Sequence, residues 1–238
     1  MQSTLLTIKF KPMNNFLSLW RSNRVYFLCF ILLLLAGLAL LILVEKSAAF
    51  ISLNSLHSFG LNVFFINYTF MGDGIFAICL ISAYIFYFKK KKEGLALLYA
   101  FLLSGIAVQV IKNLVNSPRP KLFFEQGQYM FFMNGISLSN NSSFPSGHTA
   151  TAFAIATVLV LFLKNKKWQL PILFSAALVG YSRIYLAQHF LMDVLIGAVI
   201  GTGFGLISFI LIRGEIKISR FRRHWRVSEG IIDYSPLL

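Results

Sequence analysis

Charge is what this sequence has least of. Only 13% of its 238 residues are Asp, Glu, Lys or Arg, and just eight of those are acidic. A water-soluble domain carries roughly 25%. With 57% hydrophobic residues and a mean hydropathy of +0.73, too little polar surface exists to cover a soluble body. The class is a multi-span helical membrane protein. Cysteine is equally scarce. Cys29 and Cys79 both lie inside apolar runs, which excludes a disulfide framework and a thiolate metal site and leaves two small buried hydrophobes. Carboxylates do not cluster, and no cysteine–histidine spacing is of the metal-binding kind. No metal and no cofactor is expected.

What is present is hydrocarbon and positive charge. The net charge of +14 falls in short clusters between apolar runs, not along one amphipathic face. That distribution orients a membrane protein and argues against nucleic acid as a partner. Apolar runs at 25–44, 68–88, 94–115, 148–163, 168–185 and 189–212 predict six spans. The first is 20 residues without interruption, beyond the roughly 7–15 of a signal peptide and long enough to cross a hydrocarbon core of about 30 Å. The expected fold is an all-α, six-span transmembrane helical bundle. It divides into a basic N-terminal segment 1–24, a six-span domain 25–212 and a basic tail 213–238.

Several polar residues have plain structural readings. His57, in a mixed loop at 45–67 that has room for a surface helix, reads as an interfacial or packing residue. Asp73 reads as a helix cap, with contact to the polar site as the alternative, and Gln109 as an interhelical hydrogen bond. Gly197, Gly201 and Gly205 recur every four residues, a face for close helix contact. Asn141-Ser142-Ser143 matches a glycosylation acceptor no better than chance sequence does. Sidedness follows from the basic residues: 17 lysines and arginines flank one side of the predicted spans and five the other. Both termini are therefore expected in the cytoplasm, and the chain in the inner (plasma) membrane.

Three segments then share the opposite, periplasmic or extracellular face. Lys112 ends the third run, with Arg119-Pro120 beyond it. Phe144-Pro145-Ser146-Gly147-His148-Thr149 opens the fourth. Ser182-Arg183 ends the fifth, and His189 and Asp193 open the sixth. Alternating span direction puts all of them at one depth. A helix starting near Ser146 and Gly147 offers unpaired N–H groups and the positive end of its dipole; glycine lets an anion come close to the backbone. Lys112, Arg119 and Arg183 add cations that repel one another and resist desolvation unless a polyanion joins them, and phosphate suits arginine. His189 and Asp193, four residues apart, share one helix face. The carboxylate fixes one imidazole nitrogen and leaves the other free as a nucleophile. His148 suits proton donation to a leaving oxygen. Singly, each residue has a structural reading; together, on one face, they predict a site.

These segments resemble the type-2 phosphatidic acid phosphatase family, which shares its core with vanadium haloperoxidases and glucose-6-phosphatase. Eleven positions carry the resemblance: Lys112, Arg119 and Pro120; Pro145, Ser146, Gly147 and His148; Ser182, Arg183, His189 and Asp193. The resemblance implies a metal-independent phosphatase with its active site at the outer membrane face. His189 would form a phosphohistidine, Asp193 would orient it, and His148 would protonate the leaving group and then activate water. Lys112, Arg119, Ser146, Gly147 and Arg183 would bind the substrate phosphate. The expected partner is a lipid phosphate. Undecaprenyl pyrophosphate and lipid A phosphate are favoured for a compact, bacterial-looking chain, with phosphatidylglycerol phosphate or phosphatidic acid, or phosphotransfer to another lipid, as alternatives. A non-enzymatic rival is a transporter that binds lipid phosphate; it would need the cations but not the His189–Asp193 pair.

Overall fold

The computed structural model describes residues 8–10, 14–124, 142–213 and 216–218. The expected tail beyond 218, most of the loop 116–144 and part of the basic head lie outside the described residues. The architecture is helical. Helix α1 (Asn14–Ser22) leads into α2 (Arg24–Leu43), α3 (Lys46–Leu53), α4 (Phe59–Tyr68) and α5 (Gly74–Ser82). Then come α6 (Lys91–Leu114), the short α7 (Pro120–Phe123), α8 (Gly147–Phe162), α9 (Gln169–Tyr185) and α10 (Leu191–Arg213). The three-residue strands β1 (Ile8–Phe10) and β2 (Ile216–Ile218) pair antiparallel and bring the two described ends of the chain together.

Helix α8 is the axis of the bundle. It is buried along nearly its whole length because it packs between α6, α9 and α10. Its small residues, Ala150, Ala152, Ala154 and Ala156, allow close neighbours. The glycine face of α10 supplies the closest. A Cβ on Gly201 would lie 2.2 Å from the carbonyl oxygen of Ala150, and one on Gly197 would lie 2.6 Å from that of Ser146. The two backbones approach to a distance that only glycine permits. The apolar side chains left outside, such as Leu32, Ile42, Ile106 and Phe174, form the hydrocarbon-facing surface.

Among the described residues three helices are long and apolar enough to cross a membrane: α2, α6 and α10. A fourth crossing is formed if Phe59–Gly72 and Gly74–Tyr87, bent by 57°, count as one. The expected run at 68–88 is therefore corrected. It is broken at Asp73, and residues expected as a mixed loop with room for a surface helix form α4. Gly72-Asp73-Gly74 is the physical reason, two glycines around a capping carboxylate. Helix α8, with 16 residues, extends about 24 Å at 1.5 Å per residue, short of a full hydrocarbon core. A second correction concerns Gln109, whose side chain bonds Asn113 one turn on within α6 at 3.2 Å, not a neighbouring helix.

A polar clamp closes one end of the bundle. Gln169 accepts from the Tyr26 amide at 3.0 Å and donates to the Ser22 carbonyl at 3.1 Å. Lys166 donates to Asn23 Oδ1 at 2.7 Å, and Tyr26 shares a 2.8 Å bond with Thr157. His57 sits apart, bonded to Asn62 and Asn54 and tilted against the Tyr185 ring at 4.4 Å.

Candidate active site

At the other end of α8 the three sequence segments converge. Ser146 is the N-cap of α8 and fully buried. Its hydroxyl accepts from the Thr149 amide at 3.4 Å and from the Thr149 hydroxyl at 2.9 Å. Gly147 is the first helical residue, so its N–H belongs to the unpaired first turn. A Cβ on Gly147 would make one ordinary contact, 3.7 Å to Val108. Protein packing therefore does not demand a glycine there.

His189 and Asp193 meet, but not along one helix face as expected. Helix α10 begins at Leu191, two residues after His189. The contact forms because Asp193 reaches back over the first turn: its Oδ2 accepts the Phe190 amide at 3.0 Å, half of a capping box. The same oxygen lies 3.5 Å from His189 Nδ1 and accepts the Ser143 hydroxyl at 2.5 Å. With Nδ1 turned to the carboxylate, Nε2 is the free ring nitrogen. His189 is 2% exposed. Burial lowers its imidazole from the ordinary value; the bonded Asp193 carboxylate opposes this, and the Arg183 and Arg119 guanidiniums reinforce it. At neutral pH the ring is uncharged, the form that keeps an electron pair on nitrogen.

The arginines are held by partners the sequence did not disclose. Arg183, in the last turn of α9, donates through Nη1 to Thr69 Oγ1 at 2.7 Å. Arg119 donates through Nη1 to Gln188 Oε1 at 2.5 Å, and burial lowers its guanidinium from the ordinary range against the pull of Asp193. Among the described residues, Nε of both arginines and Nε2 of Gln188 are buried with no hydrogen-bond partner. Lys112, Arg119, Arg183 and His189 all lie within electrostatic reach of the His148 ring. Every expected site residue is thus at this end of α8. Ser182, in the third segment, bonds its own helix at the Val179 carbonyl, 2.6 Å away.

Four further residues belong to the cluster: Ser143, Gln188, Thr69 and Asp73. Asp73 caps α5, as expected, through a 2.8 Å bond from the Ile75 amide. Its other oxygen lies 3.8 Å from His148 Nε2. Contact with the polar site was the alternative reading of Asp73, and Gly72-Asp73-Gly74, a breaker inside an apolar run, is the local signal for it. Ser143, Gln188 and Thr69 carried none, because their roles arise only when distant segments meet.

A helical membrane bundle with cations, buried N–H donors and two imidazoles gathered at the end of one helix fits a membrane phosphatase. The comparisons agree on the family. Residues 93–217 match the PAP2 superfamily, and the chain belongs to it. It is a phosphoric ester hydrolase of the membrane. Phosphatidylglycerophosphatase B of Bacillus subtilis (strain 168) is 33% identical over 156 residues, covering 61% of this chain and 70% of that one. The undecaprenyl-diphosphatase BcrC of the same bacterium is 32% identical over 139 residues, 57% of this chain and 67% of that one. The crystal structure of Aquifex aeolicus LpxE superposes with a TM-score of 0.58 at 35% identity, over 67% of this chain and 91% of that one. The chain spans less than half of the Arabidopsis thaliana lipid phosphate phosphatases 1 and 2.

Proposed function

We propose that this chain is a six-span, metal-independent lipid phosphatase. It would cleave undecaprenyl pyrophosphate or a lipid A phosphate at the outer face of the inner membrane, with both termini cytoplasmic. The observation that carries the phosphate site is the pair of buried, unpartnered Nε groups on Arg119 and Arg183 beside the first turn of α8. Buried donors without acceptors are costly, roughly 1–3 kcal/mol each, and a phosphoryl group would satisfy both. Arginine, lysine and helix amides are the electrostatic means this reading uses.

In this reading His189 Nε2 attacks phosphorus as the bond to the lipid oxygen breaks. The leaving oxygen takes the proton of His148. His148 then removes a proton from water, which attacks the phosphohistidine, and the phosphorus–nitrogen bond breaks to restore His189. Asp193 keeps its charge throughout and stabilises the ring at Nδ1. Lys112, Arg119, Arg183 and the amides behind Ser146 and Gly147 hold the phosphoryl oxygens. Apolar grooves support a lipid substrate; one is lined by Gly37, Leu53, Ile184, Leu191 and Val194, the last flanking Asp193.

A second reading, phosphatidylglycerol phosphate as substrate, draws on the name of the Bacillus subtilis phosphatidylglycerophosphatase B. The deciding test is phosphate release by purified protein. The panel is undecaprenyl pyrophosphate, lipid A, phosphatidylglycerol phosphate and phosphatidic acid, each beside a His189→Ala control. Release from none of the four would refute the hydrolase reading. Full activity of the control would refute the nucleophile assignment.

A further inference from the structure

The broken helix pair α4 and α5 reaches the site through its break. Three residues there face it. Thr69 accepts from Arg183. Gly72 lies so close to α8 and α9 that a Cβ would come within 2.7 Å of both the His148 carbonyl oxygen and Val179 Cγ1. Asp73 follows directly. One carboxylate oxygen caps α5, and the other is the acid partner of His148, as Asp193 is of His189.

The cap does not explain the charge. Asparagine and serine cap a helix as well as aspartate does, and neither is anionic. At 3.8 Å the contact with His148 is too long for a hydrogen bond and becomes an ion pair only when the ring is protonated, so what Asp73 can contribute is its negative charge. His148 faces an otherwise cationic company: Arg183, Lys112, Arg119 and, when protonated, His189. A general acid in that company needs an anion beside it to carry a proton at neutral pH.

We propose that Asp73 is a positioning residue for the acid step: its carboxylate sustains the imidazolium of His148 that protonates the leaving oxygen. The inference rests on the reading of His148 given above. The proton leaves His148 for the lipid oxygen as the phosphorus–oxygen bond breaks. Asp73 remains ionised before and after.

Asp73→Asn separates the two roles, because it keeps a cap and removes the charge. The full chain, purified in detergent, is assayed on dodecyl phosphate, whose alkoxide must be protonated, and on p-nitrophenyl phosphate, whose phenolate leaves without a proton. The expected result is an unchanged unfolding midpoint, a fall in kcat of about tenfold or more on the alkyl ester and a much smaller fall on the aryl ester. Asp73→Glu should recover part of the alkyl activity. The alkaline limb of the alkyl profile should move to lower pH. A carboxylate favours the protonated ring, so without it the imidazolium is lost sooner as pH rises. The other charged groups facing the His148 ring are Lys112, Arg119 and Arg183, and Asp193 faces His189. If only the alkyl ester is turned over, the pH limb decides.

Equal losses on both esters, or an unmoved limb, would overturn the inference. So would a rise in KM and weaker orthovanadate inhibition at constant kcat, which would assign the carboxylate to Arg183 and phosphate binding. Active wild type with an unaffected Asp73→Asn defeats this inference alone. Wild type inactive on both esters and on the lipid panel defeats the hydrolase reading and this inference with it.

Discussion

The backbone N–H of Ser146 donates to the backbone carbonyl of Asp193 at 3.0 Å. One bond therefore joins the first turn of α8, where the phosphate cradle is proposed, to the first turn of α10, where Asp193 holds His189. Gly197 extends the join, since its lack of a side chain lets α10 lie against the Ser146 carbonyl. The spacing between cradle and nucleophile is set by backbone on backbone, with no flexible side chain between them. Such rigidity is what a site that works by positioning requires.

Two glycines in this region should behave oppositely. Gly147→Ala adds a methyl that meets only Val108, at an ordinary 3.7 Å. The protein should fold with an unchanged unfolding midpoint, yet lose turnover by about tenfold or more as the methyl crowds a phosphoryl oxygen out of its near-attack position. Gly201→Ala places its methyl 2.2 Å from the Ala150 carbonyl oxygen. Two helices must move apart, an overpacking penalty of about 1–3 kcal/mol. Thermal unfolding in detergent, paired with phosphate release, tells them apart. A normal turnover for Gly147→Ala would remove the cradle from the proposal.

Ser143→Ala tests the orientation of the proposed nucleophile. Ser143 donates to Asp193 Oδ2 at 2.5 Å, a carboxylate that also takes the Phe190 amide. Losing a bond to a buried charge removes about 1.5–3 kcal/mol. Through a ring held less firmly, that should appear as a fall in kcat of about ten- to a hundredfold. Orthovanadate inhibition should change little, because Ser143 contacts the carboxylate and not the arginines. A variant with weakened vanadate inhibition and intact kcat would contradict this division of labour.

How much of this was legible in advance depends on the range of the interaction. Helices α2 and α6 were readable because each is a long apolar run, and the Gly197, Gly201 and Gly205 face was readable because its period is local. The residues of the three segments could be placed at one end of the bundle by counting runs alone. What stayed hidden was contact across sequence distance. Nothing near Arg183 points to Thr69, and contact of Asp73 with the polar site was only the second reading beside a helix cap, because each pair meets only where the apolar run breaks at Gly72-Asp73-Gly74. The His189–Asp193 contact was expected for the wrong local reason. The helix starts after His189, and Asp193 reaches back as a cap.

Tyr26→Phe should separate stability from chemistry at the opposite end. The phenol bonds Thr157 at 2.8 Å, ten residues and about 15 Å along α8 from Gly147. Thr157 keeps its own bond to the Phe153 carbonyl at 2.7 Å. The variant should lose about 1 kcal/mol of stability, visible as a lower unfolding midpoint, with kcat and KM unchanged. A drop in kcat would mean that the clamp at Tyr26 and Gln169 acts on the site through α8.

The sharpest test of the phosphate reading is Arg183→Lys, because it keeps the charge and changes only the shape of the donor. Arg183 is 8% exposed. Its Nη1 is committed to Thr69 at 2.7 Å, and its Nε is buried without a partner. A guanidinium can serve Thr69 and a phosphoryl oxygen at once; a single ammonium cannot hold both in that geometry. Arg183→Lys should therefore weaken orthovanadate inhibition and lower kcat/KM by about a hundredfold, a loss near 2.7 kcal/mol. EDTA should leave wild-type activity intact, since no metal takes part in the proposed chemistry. Thr69→Val, which leaves Nη1 without its acceptor, should lose less, about tenfold, because the guanidinium remains and only its anchor is gone. If Arg183→Lys matches wild type in both measurements, charge alone suffices at this position. The unpartnered Nε would then no longer argue for a phosphate.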